Sequence, residues 1–119
     1  MALHEIDSDL KTAEATLRHW ETKFPQIARN EANAKYSFET AWADAIDEIV
    51  TSVPKDAKQP TVAVMDAEAT RKCSEQLKNK REAEAEMEIA KKLIGIAETT
   101  LTSIQTRAKL DLIEAGLSR

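Results

Sequence analysis

Glycine, proline, cysteine and aromatic residues are all scarce in this chain of 119 residues. It contains two glycines, three prolines and one cysteine, and aromatic residues make up only 4% of it. A single cysteine excludes an intramolecular disulfide and is typical of a protein from a reducing compartment. Because large apolar side chains are few, the core must be thin. A thin core in a short chain usually gains part of its stability from self-association.

The sequence also lacks the features of a targeting segment and of a membrane-spanning segment. The first ten residues lack the basic and apolar regions of a signal peptide, and no apolar run approaches the roughly 20 residues of a membrane span. We therefore expect a cytoplasmic protein with no membrane association.

Groups that could converge into a catalytic or metal site are not apparent in the sequence. Gly95 and Gly116 stand alone, which excludes a glycine-rich phosphate loop. His4 and His19 are far apart, and together with Cys73 they make a poor zinc site. The acidic run of residues 82–88 has a spacing of two, which scatters carboxylates around a helix. We expect no enzyme activity, no catalytic residue, no metal and no cofactor.

Helical periodicity dominates what is present. Apolar and small side chains recur in steps of three and four, which places them on one face of a first helix over about residues 8–52. Asp7 or Ser8 is the expected N-cap. Pro25 removes a hydrogen bond, so we expect a kink or short break there. The first stripe comprises Leu10, Ala13, Leu17, Trp20, Phe24, Ile27, Ala34, Phe38, Ala41 and Ala45.

A second helix is predicted over about residues 61–115, after a linker of residues 53–60 that holds two prolines. Thr61 is the expected cap, and Gly116 the expected stop. We assign Cys73 to packing on the second stripe. That stripe comprises Met65, Ala69, Cys73, Met87, Ala90, Ile94, Ala97, Leu101, Ile104, Ala108 and Leu112.

The fold class that follows is all-α: one domain containing a long two-helix, coiled-coil-like hairpin whose first helix is kinked near Pro25. Two helices alone leave apolar faces uncovered, so we expect the hairpins to bundle in a homo-oligomer. The predicted oligomer interface comprises Trp42, Ile46, Met87, Ile94, Leu101, Ile104 and Leu112.

Residues 71–81 form a local basic segment in an acidic chain. Five of the eleven residues are basic and only Glu75 is acidic, whereas the whole chain has a net charge of −4. Cations at this density could bind phosphates through counterion release, or could simply form an exposed helical face paired with nearby glutamates. Lys35 and Tyr36 add a base beside an aromatic ring that could stack on a nucleobase. The candidate nucleic-acid-binding residues are Arg71, Lys72, Lys78, Lys80, Arg81, Lys35 and Tyr36.

The layout resembles that of small helical bacteriophage proteins of the UvsY recombination-mediator type. The resemblance covers most of the chain: a first helix with Leu-Arg-His-Trp-Glu, the segment Ala-Asn-Ala-Lys-Tyr, a proline-containing link, and a long charged helix ending in Leu-Thr-Ser-Ile-Gln-Thr-Arg-Ala-Lys-Leu. It implies a homo-oligomer that binds single-stranded DNA, remodels a single-strand-binding protein and helps to load a recombinase. The chain departs from that type in its acidic balance and in a linker with only Lys55 and Lys58 as bases.

Two other function classes fit the same pattern. The chain could be a protein-binding adaptor or inhibitor that docks a partner through an exposed helical face, with no nucleic-acid role. It could also be an assembly chaperone for virion parts.

Overall fold

The structure is a computed structural model that describes residues 3–117, and it confirms the all-α prediction. Three helices account for most of these residues: α1 (Leu3–Ser52), α2 (Val62–Lys72) and α3 (Ser74–Leu117). No strand occurs within the described part of the chain. Residues 53–61 connect α1 to α2 and include the predicted linker.

Helix α1 begins earlier than the capping pattern indicated. It starts at Leu3, so Asp7 and Ser8 lie inside the helix rather than at its cap. The reason is packing: Ile6 is only 4% exposed, which extends the apolar stripe one step of four before Leu10. Burial of that side chain holds the first turns in the helix.

Pro25 does not interrupt α1. The helix runs through residues 23–26 with the proline inside it, so the short break allowed for in the sequence analysis is absent. Pro25 itself is exposed. A kink at this position remains a prediction.

Thr61 caps α2 as predicted. Its backbone is extended, and its side-chain oxygen accepts a hydrogen bond of 3.3 Å from the backbone N–H of Val64. This satisfies one of the free donors of the first turn. Val62, Ala63 and Val64 follow the cap, and α2 contains no glycine or proline that would interrupt it.

The predicted second helix is divided at Cys73, which is a correction. Cys73 has φ −102° and ψ 20°, outside the helical range, and it ends α2 while α3 starts at Ser74. Hydrogen bonds four residues apart survive on both sides, from the Cys73 N–H to Ala69 O (2.9 Å) and from the Leu77 N–H to Cys73 O (2.8 Å). The chain therefore changes its backbone at one residue without losing these bonds. Cys73 is 2% exposed, as the packing assignment requires.

The residues divide into two compact units. Unit 2 comprises residues 26–87, and its central cluster is built from small side chains and one isoleucine: Ala45, Ile49, Ala69 and Cys73. Phe38, Ala41, Trp42, Ile46 and Met65 pack around that cluster. Small residues at the seam let α1 approach α2 closely, because little side chain stands between the backbones.

Of the described residues, unit 1 comprises 3–25 and 88–117. Its buried side chains among the described residues are Ile6, Ala13, Ala90 and Ala97. The predicted stripe on α3 holds through Ala108 and then departs from the prediction. Asp111 is partly buried at the next step of three, whereas Leu112 is 59% exposed. Gly116 lies within α3 and does not end it.

Candidate nucleic-acid interface

The predicted basic segment lies where α2 meets α3, within unit 2. Arg71 and Lys72 form the last turn of α2, and Lys78, Lys80 and Arg81 lie in the first turns of α3. Periodicity places these cations on more than one side of the helices. The structure accordingly divides them into an inward pair and an outward set.

Lys72 and Lys80 are the inward pair. The Lys72 ammonium lies 3.1 Å from a carboxylate oxygen of Glu48 on α1, and its side chain is 32% exposed. The Lys80 ammonium lies 5.0 Å from the centre of the Phe38 ring and 3.5 Å from Glu84, and its side chain is 26% exposed. Both cations are engaged in contacts within unit 2, so a phosphate would have to compete for them.

Arg71, Lys78 and Arg81 point outward. The side chains of Arg71 and Lys78 are 79% and 74% exposed, and each forms a long ion pair of 3.9 Å, with Glu68 and Glu82 respectively. Exposed pairs of this length contribute little to stability. These cations can therefore turn to another anion at small cost.

Lys78 and Arg81 line one shallow groove on α2 and α3. Its volume is about 470 Å³, and Thr70, Ser74, Leu77, Glu82 and Ala85 complete its lining. Two cations and the Ser74 hydroxyl supply donors that a phosphate group accepts, whereas the Thr70 hydroxyl already donates to Asp66 O at 2.7 Å. Leu77 and Ala85 add an apolar floor on which a sugar or a base could rest.

Lys35 and Tyr36 lie outside this groove. Both are exposed on α1, with Tyr36 at 71%, and no residue of α1 lines the groove. The structure therefore brings Lys78 and Arg81 together and leaves Lys35 and Tyr36 on a separate surface. A single-stranded DNA would have to be long enough to contact both the groove and the surface that holds Lys35 and Tyr36.

The residues predicted to form the oligomer interface are mostly engaged within one chain. Trp42 and Ile46 pack against the central cluster of unit 2. Four others are partly buried on the row of α3 that holds the buried Ala90 and Ala97: Met87, Ile94, Leu101 and Ile104. Only Leu112 is largely exposed. At the other positions, only part of each side chain is available to contact a second copy.

Ile89, Ile96 and Ile113 are exposed apolar residues of α3 that the sequence analysis missed. Leu110, whose outer face a lone two-helix hairpin should leave uncovered, is exposed as well. Ile89 and Ile96 are 56% and 61% exposed, and Leu110 and Ile113 are 55% and 58% exposed. The spacing of seven between Ile89 and Ile96, continued through Ser103 to Leu110, is the signal that could have revealed them. Ser103 interrupts the apolar pattern, so this repeat does not stand out in the sequence.

Other chemistry offers little within the described residues. No group of three or more His, Cys, Asp or Glu side chains among residues 3–117 is arranged to hold a metal ion. His19 contacts Trp20 edge to face, with the ring centres 5.5 Å apart. In the same part of the chain, no helix combines the length and apolar character needed to cross a membrane.

Comparison with known proteins adds no relative. No family model, curated protein or solved structure matches the chain.

Proposed function

We propose that this chain is a bacteriophage-type accessory protein of DNA recombination or replication. In this proposal it is a cytoplasmic, non-enzymatic helical scaffold that associates with copies of itself and holds single-stranded DNA by charge. It thereby assists the loading of a recombinase on strands covered by a single-strand-binding protein. The resemblance set out above supplies this context, and the phosphate-binding role follows from the side chains.

The proposal depends on one observation: Lys78 and Arg81 line the same groove. The two cations flank an apolar floor, and the ion pair between Lys78 and Glu82 is long, at 3.9 Å. Phosphates bound there would release counterions, giving affinity that is independent of base sequence and falls with salt. Multiple copies of the groove in one assembly would act on the same strand and raise the affinity through multivalency.

The test is the anisotropy of a fluorescent poly-dT oligonucleotide titrated with protein at roughly 50 and 200 mM salt. We expect wild-type binding to weaken at the higher salt. The double variant Lys78→Glu, Arg81→Glu should bind at least about tenfold more weakly, and loss of two phosphate contacts should reduce the salt slope by about 1.4.

The matched control is the double variant Lys91→Glu, Lys92→Glu, which changes the net charge equally on exposed residues outside the groove. Its affinity should stay within about threefold of wild type, because only distant screening changes. Equal losses in the two double variants would refute the groove as the binding site. Negligible wild-type binding at low salt would remove the DNA role altogether.

A protein-binding adaptor is the second candidate function, and exposed apolar residues at the start of α2 favour it. Val62 and Val64 are 68% and 53% exposed beside the proline-containing linker. For an adaptor, charge reversal at Lys78 and Arg81 would leave activity unchanged. Polar substitution of Val62 and Val64 would instead abolish partner capture.

A further inference from the structure

A groove in unit 1 has the composition of a helix-packing surface. Its volume is about 590 Å³, and it lies between residues 9–20 of α1 and residues 93–107 of α3. Trp20 on one wall and Leu93 and Ile96 on the other form its apolar end. Ala13 and Ala97, both buried, lie in its floor and leave room above them.

The α1 wall of the groove is less polar than its two threonines indicate. The Thr12 hydroxyl donates to Ser8 O and the Thr16 hydroxyl to Thr12 O, each at 3.0 Å. Because each donor is satisfied within its own helix, these side chains can be covered without losing a hydrogen bond. A docked apolar surface would therefore meet little desolvation cost along α1.

The opposite end of the groove carries one charge of each sign on opposite walls. Asp9 belongs to the α1 wall and Arg107 to the α3 wall. A partner would complement this end if it presented a cation opposite Asp9 and an anion opposite Arg107 at the same level.

A second copy of this chain meets that requirement. We propose that two copies associate through this groove about a twofold axis that runs along it, parallel to the helices. The α1 wall of each copy then faces the α3 wall of the other. Asp9 pairs with Arg107 of the second copy and Arg107 with its Asp9, as an isologous interface demands. Trp20 meets the Leu93 and Ile96 surface in the same way, twice.

The exposed row on α3 lengthens this contact. Ile89, Ile96, Ser103 and Leu110 repeat every seven residues, so they lie on one side of the helix, and Ile96 and Ser103 already line the groove. The row is about 32 Å long, and a strip two helices wide along it covers roughly 600 Å². Burying that strip on both copies removes about 1,200 Å² in total, which is the lower end of the range for specific, stable interfaces.

This inference deepens the proposed function, because it supplies the contact through which the proposed scaffold associates. It places that contact largely beside the interface residues that the sequence analysis predicted, of which Ile104 alone lines the groove. The association is measured without DNA, so its failure leaves the charge-based DNA proposal standing and can be told apart from it.

The first test is sedimentation velocity on the full chain at micromolar concentration. We expect wild type to dimerise or to form assemblies built from dimers. Ile96→Glu should weaken the association at least about tenfold, since a charge would be buried in the contact. Ile113→Glu is the matched control, on the same helix and similarly exposed (58% against 61% for Ile96), but outside the groove. It should associate like wild type.

The second test exchanges the charges between copies. Asp9→Arg alone sets two pairs of cations against each other across the twofold axis, and Arg107→Asp alone sets two pairs of anions. Each single variant should therefore associate about tenfold more weakly than wild type, whereas an equimolar mixture of the two should form heterodimers with both pairs restored.

Three results would overturn the proposal: a helical wild-type monomer at every concentration, equal effects of Ile96→Glu and Ile113→Glu, or a mixture no more associated than its components. Circular dichroism of each variant confirms that its helix content is retained.

Discussion

The Lys80 ammonium lies 5.0 Å from the centre of the Phe38 ring, a contact that joins α3 to α1 inside unit 2. Lys78, two residues earlier, points away and keeps 74% of its side chain exposed. A cation over an aromatic face is stabilised by the ring's quadrupole, and more so when water is partly excluded. Two lysines of one basic segment thus have different roles: Lys80 stabilises the packing of α3 on α1, and Lys78 remains available to a ligand.

Replacing each lysine with methionine should separate the effect on stability from the effect on DNA binding. Lys80→Met loses the ring contact and the pair with Glu84, so its free energy of unfolding should fall by about 0.5–1.5 kcal/mol. Its affinity for single-stranded DNA should change little. Lys78→Met should leave stability unchanged and weaken DNA binding. Urea denaturation and oligonucleotide anisotropy measure the two effects. The prediction is wrong if Lys78→Met lowers stability and Lys80→Met weakens DNA binding.

Cys73 should tolerate a smaller side chain better than a larger one. It is 2% exposed and belongs to a cluster with Ala69, which is fully buried. Cys73→Leu should lower the free energy of unfolding by about 1–3 kcal/mol, because the added atoms have no space. Cys73→Ala should cost about 1 kcal/mol or less.

The measurement for Cys73 is urea denaturation of both variants beside wild type. Native Cys73 should also react slowly with a thiol reagent until urea unfolds the chain, since the buried sulfur is inaccessible. Rapid reaction in the native state, or a leucine variant as stable as wild type, would contradict the close packing.

Helix type and the position of the linker could be read from the sequence because they depend on local properties. Proline and the lack of apolar period mark residues 53–60, and Thr61 supplies a cap that needs only its own first turn. The division at Cys73 could not be predicted in this way, because no glycine or proline marks it. It coincides with tertiary packing, since Cys73 belongs to the central cluster with Ala45 and Ile49 of α1.

The basic segment could be found from composition, but the roles of its members could not. Lys72 is engaged because Glu48 lies 3.1 Å away on a helix that is distant in sequence, and Lys80 because Phe38 lies beneath it. These partners become neighbours only after α1 packs against α2 and α3. The outward direction of Lys78 and Arg81 is likewise a consequence of packing.

Asp111 tests the register of the seam on α3. The sequence analysis reached Leu112 by a step of four, but helical geometry brings Asp111 to the partly buried position, where one of its carboxylate oxygens is buried without a hydrogen-bond partner. An unsatisfied buried polar group costs about 1–3 kcal/mol. Asp111→Leu should therefore raise the free energy of unfolding by about 1–2 kcal/mol in urea denaturation.

Leu112→Asp is the matched control for Asp111, because Leu112 is 59% exposed. Its stability should stay within about 0.5 kcal/mol of wild type, as for other surface changes. If Leu112→Asp destabilised the protein while Asp111→Leu did not stabilise it, the step of four would be the correct register.

Gly95 offers a stabilising substitution on the exposed side of α3. Its backbone has no positive φ, and a Cβ built there meets no atom within 4 Å. Alanine fits without strain and reduces the freedom of the unfolded chain, so Gly95→Ala should raise the free energy of unfolding by about 0.5–1 kcal/mol. Gly116 is equally unobstructed but lies one residue before the end of α3, where helices fray. Gly116→Ala should therefore gain less than half as much in the same urea titration, and equal gains would show that the end of α3 is as firmly held as its middle.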